Sequence, residues 1–356
     1  MQITWKRKRI QRFPWSGLLL AGVGAGVALG ALNRLRLGRK SYRDQVVVIT
    51  GGSRGLGLQM ARLLAEEGAR LALLARNEPE LEAARQELSE KVEVFAIPCD
   101  VGIRAELEGA IASVMQHFGR IDVLINNAGI IQVGPIDHMN LTDYENAMDV
   151  HFWGPLYAML AVIPLMRRQG SGQIVNISSI GGEVAVPHLA PYVASKFALV
   201  GLSDVFRAEL AKDGISVTTV SPGLMRTGSY YHGNFKGQNE KEFRWFSLMS
   251  ATPLTAMSSR RAARQVLNAA RYGVPKRTLT LQARLLEVAD EVTPGLTAWV
   301  AKQATRLMPG PVGSQGDEPR TGFESHSRQT PSWATRMGDR AAQQNNELIA
   351  ERPQRL

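Results

Sequence analysis

Tyr192 and Lys196 stand four residues apart in Tyr192-Val193-Ala194-Ser195-Lys196, and Ser179 lies thirteen residues before the tyrosine. On a helix, the four-residue spacing puts phenol and ammonium on one face. An ammonium beside a phenol favours the phenolate, so such a tyrosine can exchange a proton near neutral pH. A second group is Thr50-Gly51-Gly52-Ser53-Arg54-Gly55-Leu56-Gly57. Glycines there permit a tight turn and close backbone approach, and a helix opening directly after them attracts a pyrophosphate. Asn126-Asn127-Ala128-Gly129 is a third group, placed after an apolar run.

The elements that must hold these groups alternate in type. Val46–Ile49 reads as a buried strand and Leu56–Gly68 as a helix; Arg70–Leu74 is a second strand and Pro79–Glu90 a charged helix. Val92–Ile97, Ile121–Ile125, Ile174–Ile177 and Ile215–Val220 are further strands, with helical spans over 103–118, 141–168 and 190–212. Strand-helix alternation with near-continuous apolar strands predicts a parallel sheet covered on both faces. The fold class is α/β, a doubly wound Rossmann-type sheet in a single catalytic domain.

Taken in this order and spacing, the three groups resemble the classical short-chain dehydrogenase/reductase family, over about residues 44–282. The resemblance implies an oxidoreductase that interconverts a carbonyl and an alcohol. It makes Tyr192 the acid/base, has Lys196 lower its pKa and bind the nicotinamide ribose, and has Ser179 rather than the adjacent Ser178 hydrogen-bond the substrate oxygen. Thr50, Gly51, Ser53, Gly55, Leu56 and Gly57 would form the pyrophosphate loop, and Asp100 would hold the adenine. Asn126, Ala128 and Gly129 would line the nucleotide, with Pro222, Gly223 and Thr227 at the nicotinamide. One position departs from the family pattern. His151 stands where a helix asparagine normally holds a water that relays protons to the lysine. Imidazole donates and accepts hydrogen bonds and titrates near 6.5. A tolerated substitution and direct membership of the relay are both open.

Enzymes preferring NAD carry an acid at the end of the second strand to hold the ribose hydroxyls. Here Ala75 is followed by Arg76 and Asn77. Arg76 and Arg54 supply two guanidiniums suited to a 2′-phosphate. The expected cofactor is therefore NADP(H), and no metal site is expected.

The chain of 356 residues has a formal charge of +10, but the charge is unevenly placed. Residues 1–43 hold ten Lys or Arg and no acid, while the remainder holds 32 of each sign. Phe13–Leu32 is uncharged over twenty residues and flanked by basic clusters. As a helix it would span roughly 30 Å, the thickness of a bilayer core. A membrane anchor explains this pattern better than a nucleic-acid-binding arm, which leaves the apolar run without a role. A cleaved signal peptide would export a domain that needs an intracellular cofactor. The expected location is thus a single-pass membrane protein with its catalytic domain on the cytoplasmic side. Charge on both flanks does not itself set the orientation. The single cysteine, Cys99, excludes an intrachain disulfide.

Residues 224–257 read as a long irregular insertion carrying Tyr230, Tyr231, Phe235, Phe243, Trp245 and Phe246. In the family this segment covers the substrate, so its aromatics point to a lipophilic aldehyde, ketone, sterol or retinoid-like molecule. Helical pattern returns at 259–272 and 281–307, broken at Pro294, giving a helical extension over 283–309. Residues 310–356 read as a mostly disordered tail, with Trp333 and the helix-like stretch 338–350 as points where it could dock. A homo-oligomer is expected. The alternative function is a catalytically silent nucleotide-binding regulator or scaffold on the same fold.

Overall fold

A strand buried on both faces needs no polar alternation, and β1 (Val46–Thr50) has none: all five residues are buried. Its side chains divide between two cores, because successive residues of a strand point to opposite faces. Val47 and Ile49 join Leu71 and Leu73 on one face, while Val46 and Val48 join Ala72 and Leu74 on the other. Each aliphatic side chain so buried contributes roughly 1.5–3 kcal/mol. The computed structural model describes residues 41–252, 255–326 and 332–348.

From β1 the chain runs through α1 (Gly55–Glu66), β2 (Arg70–Ala75), α2 (Glu78–Ser89), β3 (Val94–Pro98), α3 (Arg104–Phe118) and β4 (Val123–Asn126). It continues through α4 (Leu141–Met148), a π-helical turn (Asp149–Trp153), α5 (Gly154–Gln169), β5 (Gly172–Ile177), α6 (Ala190–Leu210) and β6 (Ile215–Ser221). After these come α7 (Asn239–Ala251), α8 (Ser259–Arg271), β7 (Lys276–Thr278), α9 (Leu281–Val292), α10 (Pro294–Thr305) and α11 (Ser332–Gln344). The seven strands form one sheet in the order β7-β6-β5-β4-β1-β2-β3, and every pairing is parallel. Strand order reverses between β1 and β4, and ligands of such sheets bind outside the carboxyl ends of the strands at that switch point. The doubly wound Rossmann-type sheet read from the sequence is the observed fold.

Three segments differ from the sequence reading. The helical span 141–168 is broken by the π turn, which adds a residue to the helix and turns His151 inward, where it is 1% exposed. The insertion 224–257 is not wholly irregular, since it contains the thirteen-residue helix α7. Its aromatics bury one another: Tyr230, Phe235 and Phe243 are at most 1% exposed, with Phe243 lying 5.4 Å from Phe235 and 5.8 Å from Tyr230 between ring centres.

The tail expected to be mostly disordered is ordered over much of its length, because that aromatic cluster gives it a platform. Asp339 on α11 accepts hydrogen bonds from the hydroxyls of Tyr230 (3.1 Å) and Tyr231 (2.7 Å), and Ala342 is fully buried against the segment that carries them. Earlier in the tail, His138 donates to Asp317 (2.8 Å) and accepts from the Val312 amide (3.0 Å). Composition alone hid this, since polar side chains make the contacts. The side chain of Trp333 lies outside those described.

After β7 the chain forms α9 and α10, with the break between them at Pro294. This pair leaves Leu285, Val292, Leu296 and Trp299 exposed. The apolar run 13–32 lies outside the described residues. Among the described residues, Leu141–Gln169 is long and apolar enough to cross a membrane. Its buried side chains, including Met159, Val162 and Met166, nevertheless belong to the core of the domain.

Candidate active site

The glycine loop sits at the switch point. Gly51 has φ +65°, a conformation that favours glycine, and a Cβ there would lie 2.9 Å from the Ala128 Cα. Gly57 leaves no room for a Cβ against the Gly51 carbonyl, so α1 starts hard against the loop. Thr50 joins the loop to the segment after β4. Its hydroxyl accepts from the amides of Asn127 (2.9 Å) and Ala128 (3.1 Å), and the Asn127 side chain donates to the carbonyls of Thr50 and Gly51 (3.0 Å each). The amino end of α1 has no side-chain cap and no acid in its first turn. Such an end attracts an anion.

A cavity of about 650 Å³ runs along this loop. At one end lie Arg76, Asn77 and Asp100; at the other lie Ser179, Tyr192 and Lys196, which β5 and α6 carry into the same space. The Ser179 hydroxyl hydrogen-bonds the Tyr192 phenol and also accepts from the Gly181 amide at 3.1 Å. Ser178 points away from that group and donates to the Lys196 carbonyl, at 3.3 Å. The Lys196 ammonium donates to the Ile177 carbonyl at 2.9 Å and lies 5.7 Å from the centre of the Tyr192 ring.

The electrostatics differ from the expectation in one respect. Burial pushes the Tyr192 phenol up, and the hydrogen bond from Ser179 is what opposes it. Lys196 is itself lowered by burial, to about 7, and so can gain or lose a proton near neutrality. The ammonium donates to the Ile177 carbonyl, and burial rather than the lysine dominates the shift of the tyrosine.

His151 accepts from the Ile130 amide through Nε2 (3.1 Å), so its proton resides on Nδ1, which donates to the Ser195 hydroxyl (2.8 Å). Ser195 in turn donates to the Tyr192 carbonyl (2.9 Å). Burial, helped by the Lys196 charge, holds the imidazole well below its ordinary value and therefore neutral. Both ring nitrogens are engaged and neither bonds Lys196, so the geometry is that of a neutral brace between two loops and α6.

This cavity, with a glycine cradle at one end and a Ser-Tyr-Lys group at the other, has its counterpart in known proteins. The family described as short chain dehydrogenase matches residues 45–232, and a zebrafish (Danio rerio) dehydrogenase/reductase SDR family member 7B is 34% identical over 261 residues, 71% of this chain and 82% of the relative. The chain belongs to the short-chain dehydrogenase/reductase family. A CLA biosynthesis dehydrogenase/reductase of Lactiplantibacillus plantarum is 35% identical over 55% of this chain and 70% of its own. Among solved structures, a short-chain dehydrogenase from Streptomyces avermitilis superposes with a TM-score of 0.62 at 28% identity, covering 74% of this chain and 98% of that one. Levodione reductase gives 0.59 at 27% identity, over 68% and 98%. Short-chain dehydrogenase/reductases are oxidoreductases that use a nicotinamide dinucleotide, and the residues present fit one: the cavity is long, its loop is cut back to glycine where a Cβ would intrude, and one end offers hydroxyl, phenol and ammonium.

Most of the residues singled out in the sequence line this cavity, including Gly51, Ser53, Arg54, Gly55, Leu56, Ala128, Gly129, Pro222, Gly223 and Thr227. Thr50 and Gly57 stand behind the loop and shape it. Asn126 is a correction: it is 3% exposed and donates to Asn176 (2.8 Å) beneath the site, while the neighbouring Asn127 reaches the cavity. Arg54 is not free to face a phosphate. It pairs with Glu80 at 2.8 Å and Glu347 at 3.3 Å, whereas Arg76 is 60% exposed with only a long contact of 3.4 Å to Asp100. Sequence reasoning missed Glu80 and Glu347. Glu80 could have been found as an acid in the first turn of α2 beside the loop; nothing local marks Glu347, which arrives from the far end of the chain.

Proposed function

We propose that this short-chain dehydrogenase/reductase interconverts a carbonyl and an alcohol on a lipophilic substrate with NADP(H), working at a membrane. The observation that carries the reading is the convergence of the Ser179 hydroxyl, the Tyr192 phenol and the Lys196 ammonium on the cavity that begins at the glycine loop. When bound, the dinucleotide supplies or accepts the hydride. Tyr192 gives its phenolic proton to the substrate oxygen, or takes one from it, and Ser179 holds that oxygen. Lys196, balanced near pH 7, returns the proton to the tyrosine side. His151 keeps the Tyr192 turn of α6 in register through Ser195.

For NADP(H), support comes from the absence of an acid at the end of β2 and from Arg76, whose guanidinium is exposed at that end of the cavity. A lipophilic substrate is favoured by the apolar surroundings of Tyr192, where Ile131, Val186, Val193 and Tyr231 pack as the rim of the aromatic cluster. The anchor reading rests on the uncharged run 13–32 and its basic flanks, and NADP(H) argues for a catalytic domain facing the cytoplasm. Exposed Trp153, Leu160, Phe197 and Val205 on and beside α5 and α6 favour a homo-oligomer.

The test is NADPH and NADH consumption by the purified full chain against lipophilic aldehydes and ketones, with Tyr192→Phe in parallel. Turnover that falls by about 10²–10⁴ in the mutant is expected for loss of the acid/base. Tight dinucleotide binding without turnover on any substrate would instead point to a regulator or scaffold. Partition of the full chain into detergent, lost on deleting residues 1–33, tests the anchor.

A further inference from the structure

After α11 the chain makes a tight turn and runs back into the cavity. Asn346 takes φ +61° there, a conformation asparagine tolerates better than most residues. The turn is held on every side. The Asn345 side chain, 1% exposed, accepts from Gln59 (2.8 Å) and donates to the Thr227 carbonyl (3.0 Å). The Glu347 carbonyl accepts from His232 at 2.7 Å.

What this turn presents to the glycine loop is a set of acceptor oxygens. The Asn345 carbonyl takes the amide of Gly55, the first residue of α1, at 3.0 Å. A Glu347 carboxyl oxygen lies 2.8 Å from where a Cβ on Gly55 would be, filling the space that the glycine leaves open. Its other oxygen stands 3.3 Å from Arg54 and 3.4 Å from His232 and, though buried, makes no hydrogen bond. The Glu347 side chain is 2% exposed, and the residue lines the same cavity as Tyr192 and Lys196.

A buried carboxyl group beside an arginine, at a helix start that has no side-chain cap, is seated as a phosphate would be. Phosphate oxygens are also acceptors and need the same donors. They cannot share this position with the Asn345 carbonyl and the Glu347 carboxyl. We propose that Asn345–Glu347 is a built-in occupant of the phosphate end of the dinucleotide cavity, which the cofactor must displace, so that the C-terminal segment sets the enzyme's cofactor affinity. The proposal rests on the dinucleotide reading above. Displacement also separates Arg54 from the Glu347 carboxyl group. Because Asp339 ties α11 to Tyr230 and Tyr231 in the substrate-covering segment, it loosens that cover as well.

The test compares the full chain with a chain ending at Gln344, titrating NADPH and NADH by fluorescence. Removal of the occupant is expected to tighten binding about ten-fold or more. In parallel, hydrogen exchange on the intact chain is expected to show residues 345–347 exchanging faster once NADPH is bound. Equal or weaker binding by the shortened chain overturns the proposal, and so does slower exchange, which would make the segment a clamp that closes over the cofactor. Should the shortened chain fail to fold by circular dichroism, the exchange result on the intact chain decides. Absence of dinucleotide binding in both folded forms sinks the dinucleotide reading itself, whereas binding without a difference sinks only the displacement.

Discussion

Replacing His151 with alanine removes a ring that is 1% exposed and makes two hydrogen bonds. The Ile130 amide loses its acceptor, at a cost of about 1–3 kcal/mol for an unsatisfied buried donor. The space left by an aromatic-sized ring costs about 3–5 kcal/mol when neighbours cannot collapse into it. These contributions overlap, so about 3–5 kcal/mol in total is the expectation, a fall in Tm on the order of 10 °C. Turnover should drop as well, because Ser195 loses the donor that fixes its hydroxyl against the Tyr192 carbonyl. A displacement near 1 Å at a reacting group costs roughly 10²-fold. His151→Asn keeps one donor and one acceptor and should recover most of both losses. The assay is thermal denaturation and the pH profile of kcat for the wild type, His151→Ala and His151→Asn. Because the imidazole is neutral and held well below 6.5, all three profiles should have the same shape. Wild-type Tm and kcat in His151→Ala would refute the brace. A limb near pH 6.5 that disappears in His151→Asn would instead restore the histidine as a titrating member of a proton relay.

Three further outcomes can be checked. Lys196 falls to about 7 in the folded state from 10.5, so between these values the unfolded chain holds more protons and this group's contribution makes stability rise with pH; urea unfolding of Lys196→Met should show that slope reduced, and an unchanged slope would count against the burial argument. Arg76→Ala should weaken NADPH binding about 10–100-fold, the worth of a charge-assisted hydrogen bond to phosphate, while leaving NADH within a few-fold; equal losses for both would remove Arg76 from the 2′-phosphate. Burial and Glu80 raise the Glu347 carboxyl to about 8, against the lowering by Arg54, so the docked segment holds a proton that the free segment releases above its ordinary value of 4.5. Docking then weakens as pH rises through that window, and NADH affinity of the full chain should increase from pH 6 to 8. His232, itself lowered to about 4, stays neutral there. A flat response in the full chain, or an equal rise in a chain ending at Gln344, would refute it.

The grouping of Tyr192 with Lys196 was legible because its parts are local. A four-residue spacing on a helix fixes the relation of Tyr192 to Lys196 whatever lies elsewhere, and a glycine loop between a strand and a helix declares its own turn. The sheet was legible for a related reason: strands such as Val46–Thr50 are apolar throughout because helices cover both faces. What the local pattern could not carry was contact between distant segments. Asn126 and Asn127 look alike in sequence, and only the packing of β4 against β5 pairs the first with Asn176 on the neighbouring strand and leaves the second at the cavity. Arg54 reads as a free guanidinium until Glu80 and Glu347 are brought to it from 26 and 293 residues away. The polar tail lacked the apolar periodicity that announces an ordered segment, yet hydrogen bonds to Tyr230, Tyr231 and His138 order it. The residues by themselves determined the fold and the pairing of a tyrosine with a lysine on one helix. The tertiary structure alone decided which charges face one another inside the cavity, because that depends on which distant segments of the chain are packed together.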